Sequence, residues 1–184
     1  AEDGEKIVTL DEKEFTLTKE NLVICDGKKP VALAGIMGGL NSEILDSTKA
    51  VMFEAAKFAH DNIRKSSKAL GQVSDSSLRF SKGVDEYTTV MAMKRALHLI
   101  EELGCGKVSK TSFDVNTGNS IEPRKLTVSV NRVNGVLGIK VPDEDIVRIL
   151  KNLNFEPELN GDDLTIEIPG YRVDMESYQD VAEE

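Results

Sequence analysis

Residues 31–44 read VALAGIMGGLNSEI, an apolar run that carries three glycines, Gly35, Gly38 and Gly39, within five positions. The residues after those glycines decide how the stretch is used. A phosphate-cradling loop reads GxxxxGK[ST] or GxGxxG and opens a helix. Here no lysine comes next and LNSEI is a poor helix start, so a nucleotide cradle is set aside. Two readings remain. The glycines make a tight turn that needs positive φ, or they form the wall of a pocket where bare backbone meets a ligand. Pattern alone favours the turn.

Upstream, residues 5–36 come in short apolar bursts, KIVTL, EFTLT, NLVIC and VALAGI, separated by DEK, KE and DGKKP. The breaks are turn compositions, and Asp26-Gly27 is a hairpin signal. The segment reads as four antiparallel strands. Downstream, AVMFEAAKF (residues 50–58) reads as a further strand leading into a turn. DNIRKSSKALG reads as a helix from about Asp61 that Gly71 closes. SDSSLRFSKGVD (residues 74–85) reads as a loop, with Arg79 in reach of Asp75 or Asp85. Residues 86–103 form the clearest helix, capped by Asp85 and ended by Gly104. Its apolar stripe at Val90, Met93, Leu97 and Ile100 reads as core filling.

Residues 109–123 turn polar, and the spacing places a domain boundary there. Beyond it come a strand (RKLTVSV), a short helix (NRVNGVLG), an amphipathic helix starting at Pro142 with acids in its first turn, a hairpin (ELNGDDLTIEIP) and a final helix (DMESYQDVAEE). The fold class is α+β: a mixed or antiparallel sheet domain with packed helices over residues 1–115, a linker over 116–121, and a small winged-helix-like α/β module over 122–184. That module lacks the basic recognition helix of a nucleic-acid reader.

With 40% hydrophobic and 30% charged residues the chain is neither disordered nor collagen-like. No apolar run nears the roughly 20 residues of a membrane span, and the N-terminus has no signal-peptide pattern. A formal net charge of −9 repels phosphate backbones, so this chain alone is a poor high-affinity nucleic-acid binder. Cys25 and Cys105, far apart and without clustered histidines, exclude a disulfide framework or Cys-rich zinc site and fit a reducing cytoplasm. The chain starts at Ala1 without an initiator methionine and stops within a helical pattern, which reads as a piece of a longer protein.

Three sets of residues could carry chemistry. Glu54 is a carboxylate inside an apolar burst, facing solvent or held in a pocket to accept a hydrogen bond. The 74–85 stretch gathers small hydroxyls beside Arg79 and Phe80. Asp174, Asp180, Glu183 and Glu184 are spaced to share a helix face or its start. They suit a hard cation, Mg²⁺ or Ca²⁺, or else form a solvated acidic face, which spacing alone favours. His60 and His98 read as surface residues, and no Ser-His-Asp arrangement is evident.

Together these segments resemble the phenylalanyl-tRNA synthetase β subunits of bacteria. The carriers are ALAGIMGG with Ser42, Thr48 and FEAAKF, then NIRKSSKALG with SDSSLRFSKGVD, then PGYRVDMESYQDVAEE. They cover nearly the whole chain, in order. The resemblance implies that residues 1–115 are part of an editing domain that hydrolyses tyrosine wrongly esterified to phenylalanine tRNA. Glu54 would accept the tyrosine hydroxyl, Gly38 and Gly39 would form the pocket wall, and Ser74 and Ser76 would line it. No side-chain nucleophile is needed, because a positioned water and backbone donors suffice. The family carries Thr and Ala at the positions of Ser74 and Ser76, and Glu-Arg where Ser81-Lys82 stand here, and it has an editing-site histidine upstream of Ala1.

The resemblance also implies Mg²⁺ at Asp174, Asp180, Glu183 and Glu184, with binding weakened where the helix frays. The parent would be a cytoplasmic, ATP-dependent class II ligase, a heterotetramer of two α and two β subunits acting on phenylalanine tRNA. The second domain would help assemble it. This chain would neither bind ATP nor aminoacylate. The alternative is a non-catalytic interaction module of a larger RNA-handling complex, in which the glycines are only a turn.

Overall fold

The computed structural model describes residues 1–116 and 123–184. The chain divides into two compact units, Ala1–Gly106 and Lys107–Glu184. The linker expected over 116–121 lies, Asn116 apart, outside the described residues.

The first unit opens with a hairpin of β1 (Lys6–Val8) and β2 (Glu14–Thr16), paired antiparallel with Ile7 opposite Phe15. Next in the chain is a three-stranded antiparallel sheet, with β3 (Val23–Cys25), β4 (Pro30–Leu33) and β5 (Met37–Gly38) in that order. The Asp26-Gly27 turn links β3 to β4. Gly27 takes φ 91°, and the Asp26 carboxylate accepts from the Lys28 and Lys29 N–H groups at 2.9 and 3.0 Å. The sheets bury Ile7, Leu17, Leu33 and Ile36 against Ile63 of α1 (His60–Leu70). Gly71 ends α1 in the left-handed region, as its position in the sequence predicts.

A polar knot, with Thr9 and Gln72 buried and Asp11 and Lys13 at the surface, ties the hairpin to the end of α1. Gln72, 2% exposed, donates from Nε2 to Asp11 Oδ2 at 3.0 Å and accepts from Lys13 Nζ at 3.2 Å. Thr9 Oγ1, fully buried, donates to Asp11 Oδ1 at 2.5 Å. Bonds from Lys13 first, then Thr9 and Gln72, hold the Asp11 carboxyl well below the usual carboxylate range.

Three expectations are corrected here. Residues 50–58 form no strand. Their backbone has no regular structure, and Val51, Met52 and Phe53 stand exposed, because a strand needs a paired edge and none of the strands described pairs with them. The 74–85 loop is instead α2 (Asp75–Lys82). Ser74 and Ser77 form a reciprocal capping box, so the hydroxyls that favour loops favour this helix start equally well. No Arg79 ion pair forms with Asp85, whose carboxylate accepts from Thr88 N–H at 2.7 Å and Thr88 Oγ1 at 2.6 Å to cap α3 (Glu86–Glu102). Finally, α3 has no fully buried residue: of its apolar stripe Val90 is 43% exposed and Met93, Leu97 and Ile100 are half-buried, so the stripe is no part of this unit's buried core.

The second unit runs β6 (Arg124–Ser129), α4 (Val130–Leu137), α5 (Asp143–Asn152), β7 (Glu156–Asn160), β8 (Asp163–Ile168) and α6 (Tyr178–Glu183). Its sheet is antiparallel, with β8 between β6 and β7. β8 alternates in the way one buried face demands: Leu164, Ile166 and Ile168 are at most 3% exposed. They pack on Ile146 and Leu150 of α5, Val133 of α4 and Val181 of α6, with Phe155 in the same core. Strands and helices in both units make the chain α+β, and the β-α-α-β-β-α order of the second unit is the winged-helix-like plan read from the sequence. Among the described residues, no helix is long and apolar enough to cross a membrane.

Gln72→Ala would remove a buried amide and its hydrogen bonds to Asp11 and Lys13, two groups that water can reach. It is expected to lower stability by about 0.5–1.5 kcal/mol, read from the shift in denaturant midpoint.

Candidate functional site

The glycine stretch turns the chain sharply after β4. Gly35 takes φ 64°, and a Cβ there would lie 3.0 Å from Phe58, 3.1 Å from Phe80 and 3.3 Å from Ile63. The turn reading of the cluster therefore holds at Gly35, a left-handed turn on whose bare backbone two aromatic rings of the protein itself pack. The rings of Phe58 and Phe80 pack tilted at 54° with centroids 5.1 Å apart.

Two open hollows of about 390 and 400 Å³ adjoin this turn, and Gly35, Glu54 and Ser76 line both. Phe58, Phe80, Thr88, Thr89 and Ala92 line the first. Ile24, Ala32, Met37, Gly38 and Ser74 line the second. The structure thus brings four of the five expected pocket residues, Gly38, Glu54, Ser74 and Ser76, to one region. Gly39 lines neither hollow. It packs against its own sheet, donating its N–H to Val31 O at 2.8 Å, and a Cβ on it would meet that oxygen at 2.5 Å.

Ser74 sets the geometry. Its Oγ donates to Ile36 O at 2.5 Å and accepts from Ser77 N–H at 3.1 Å, so one hydroxyl fastens the start of α2 to the glycine turn. The next N–H groups, of Asp75 and Ser76, have no acceptor inside the helix. Glu54 comes from the irregular 43–59 segment. Contacts of that segment that reach the helices include the Phe58–Phe80 pair, and Lys57 Nζ, 2.5 Å from Glu86 Oε1. Glu54 is exposed, yet the walls around it take away enough water to push its carboxyl above its ordinary value. Of the lining residues, sequence reasoning passed over Phe58, Thr88, Thr89 and Ala92. The small side chains 88, 89 and 92, one helical turn apart, were the available signal.

The acidic set of the second unit is arranged differently. Asp174 and Glu184 both bind the guanidinium of Arg172. Asp180 Oδ2 accepts from the N–H groups of Glu176 and Ser177 at 3.0 and 2.7 Å, capping α6. Glu183 is exposed. Among the described residues no group of three or more His, Cys, Asp or Glu side chains is placed to hold a metal ion. So arranged, the four carboxylates do not fit Mg²⁺, which demands near-ideal octahedral oxygen ligation.

Residues 1–105 match the B3/4 domain family and residues 126–184 the tRNA synthetase B5 domain. The class is therefore plain: the chain belongs to the B3/4 domain family, with a B5 domain after it. More particularly, all but a few of its residues align with phenylalanine–tRNA ligase beta subunits. It is 45% identical to that of Clostridium tetani over 98% of the chain and 43% identical to that of Latilactobacillus sakei over 100% of it. The chain spans 23% of the length of each of these relatives. Among solved structures, an N-terminal fragment of the phenylalanyl-tRNA synthetase beta subunit from Pyrococcus horikoshii aligns with TM-score 0.48 and 15% identity, over 100% of this chain and 52% of that one.

Gly39→Ala is expected to destabilise by about 1–3 kcal/mol because backbone must move. Gly38→Ala, which meets only the Cδ1 tip of the exposed Leu10 at 2.9 Å, should cost far less; denaturant midpoints of the two variants give the comparison. For Glu54 the raised folded-state pKa sets the sign. Its stability contribution is fully present below the unfolded pKa of about 4.3 and is lost as pH rises through the folded value. Glu54→Gln should therefore match the parent Tm near pH 4 and equal or exceed it at neutral pH.

Proposed function

We propose that the first unit is an editing site of a phenylalanine–tRNA ligase β subunit, hydrolysing tyrosine misattached to phenylalanine tRNA. The observation that carries this reading is the placement of Glu54: a partly desolvated carboxylate at the junction of two hollows, which it lines together with Ser76 and Gly35. Phenylalanine and tyrosine differ by one hydroxyl, and an apolar synthetic pocket rejects an added hydroxyl poorly. A second site with a carboxylate acceptor selects the error, because only tyrosine can donate to it. Phe58 and Phe80 supply faces for the ring.

The chemistry asks little of side chains. Water adds to the ester carbonyl, the tetrahedral intermediate collapses, and the ribose hydroxyl leaves with a proton as free tyrosine forms. Donors must meet the developing oxyanion, and the Asp75 and Ser76 N–H groups at the start of α2 are suited to that work. Ser74 acts as their positioning residue. Gly38 forms wall, whereas Gly39 is assigned to holding the sheet.

In the same reading the second unit helps assemble a cytoplasmic heterotetramer of two α and two β subunits. The α subunit carries ATP-dependent class II aminoacylation, with the Mg²⁺ that ATP requires. This chain alone neither binds ATP nor aminoacylates.

The test uses the heterotetramer with mischarged tyrosyl-tRNA. Glu54→Ala should slow deacylation about 10- to 100-fold, the worth of a hydrogen bond to a charged group, and leave phenylalanylation unchanged. Deacylation by the variant at the parent rate removes Glu54 as the reader of the hydroxyl, whereas a parent complex that does not deacylate tyrosyl-tRNA favours a non-catalytic module.

A further inference from the structure

We infer that Arg172 is a resident cation: it neutralises the carboxylates that a divalent metal would otherwise bridge, and it latches α6 to the loop preceding it. The guanidinium meets Asp174 side-on, Nε to Oδ1 at 3.0 Å and Nη2 to Oδ2 at 2.8 Å, and Nη2 also donates to Glu184 Oε1. Asp174 lies in the loop after β8, whereas Glu184 lies just past the last turn of α6. One side chain therefore joins both ends of the segment that docks the final helix.

The seat is built, not incidental. Arg172 Cζ stands 5.3 Å from the centroid of the Phe155 ring, itself 2% exposed, and Nη2 lies 3.5 Å from Sδ of Met175, 1% exposed. The backbone is held as well: Arg172 N–H donates to Pro169 O at 2.9 Å, and Arg124 Nη2 donates to Arg172 O at 2.8 Å. The Arg172 and Glu184 side chains are only 20% and 18% exposed, so their pairing is less screened than an ordinary surface bridge. Planar, two-pronged donation onto a carboxylate is the geometry at which arginine excels and lysine does not.

A metal at this place would have to displace that guanidinium from both carboxylates. It would also have to take Asp180 from the N–H groups of Glu176 and Ser177, uncapping α6. Both losses weaken the docking of the helix that supplies the ligands. The module's stability therefore rests on Arg172 and is indifferent to divalent cations.

Thermal unfolding of the 184-residue chain, followed through amide NMR signals of residues 124–184, tests this. In about 10 mM Mg²⁺, above weak hard-cation affinities, the Tm should equal that in EDTA at matched ionic strength. Arg172→Gln and Glu184→Gln should each lower Tm by roughly 2–6 °C. The double variant should fall no further than Arg172→Gln alone, since both remove one contact. Should Arg172→Gln not fold, Arg172→Lys and Glu184→Gln complete the same cycle. A saturable Mg²⁺-dependent rise in the parent Tm, or additive shifts in the double variant, overturns the inference.

Discussion

The Ser74 hydroxyl is the point on which the first unit's site depends. It donates to the Ile36 carbonyl and accepts from the Ser77 N–H. The first bond holds α2 against the glycine turn, and the second keeps α2 helical from its first residue. Without the pair, the open N–H groups of Asp75 and Ser76 would have no fixed relation to Gly35 and Gly38. A hydrogen bond that contributes modestly to stability thus sets where two walls of the hollow stand.

Around that point, rigidity is uneven. The sheet side is tight, with Gly39 against Val31 O and Gly35 against two phenylalanines. The segment that brings Glu54 has no ladder of its own. Ring packing by Phe58 and the Lys57–Glu86 pair tie it to the helices. Segments with few backbone bonds and exposed apolar side chains open at low free energy, which would suit the wall of a hollow that the proposed ester has to enter. The second unit is the reverse. Its alternating strand β8 and its amphipathic helix α5 fill one core, and the Arg172 pairings close the one segment without regular structure that leads to α6.

Much of this was legible beforehand where local chemistry decides. Asp26-Gly27, Gly71, Asp85 and Pro142 each act within a few residues of themselves, and each turned or capped the chain as read. The second unit's element order came from clean periodicity. The failures share one cause, which is dependence on distant partners. AVMFEAAKF has strand composition, but composition supplies no neighbouring edge. Ser74 and Ser77 suit loop and helix start alike, and Ile36, 38 residues away, completes the site. The stripe of α3 is periodic, yet periodicity does not say whether anything lies opposite.

By itself, then, the sequence determined the α+β class, the helix ends, the second unit's plan and, through motifs in order, the family resemblance, because these rest on residue type and short spacing. Only the tertiary structure decided what each singled-out side chain does. It placed Gly35 rather than Gly39 at the hollow, set Glu54 where partial desolvation raises its carboxyl, and handed Asp174 and Glu184 to Arg172. Those outcomes depend on which groups converge through space, and convergence is a property of the packed chain that residue spacing does not encode.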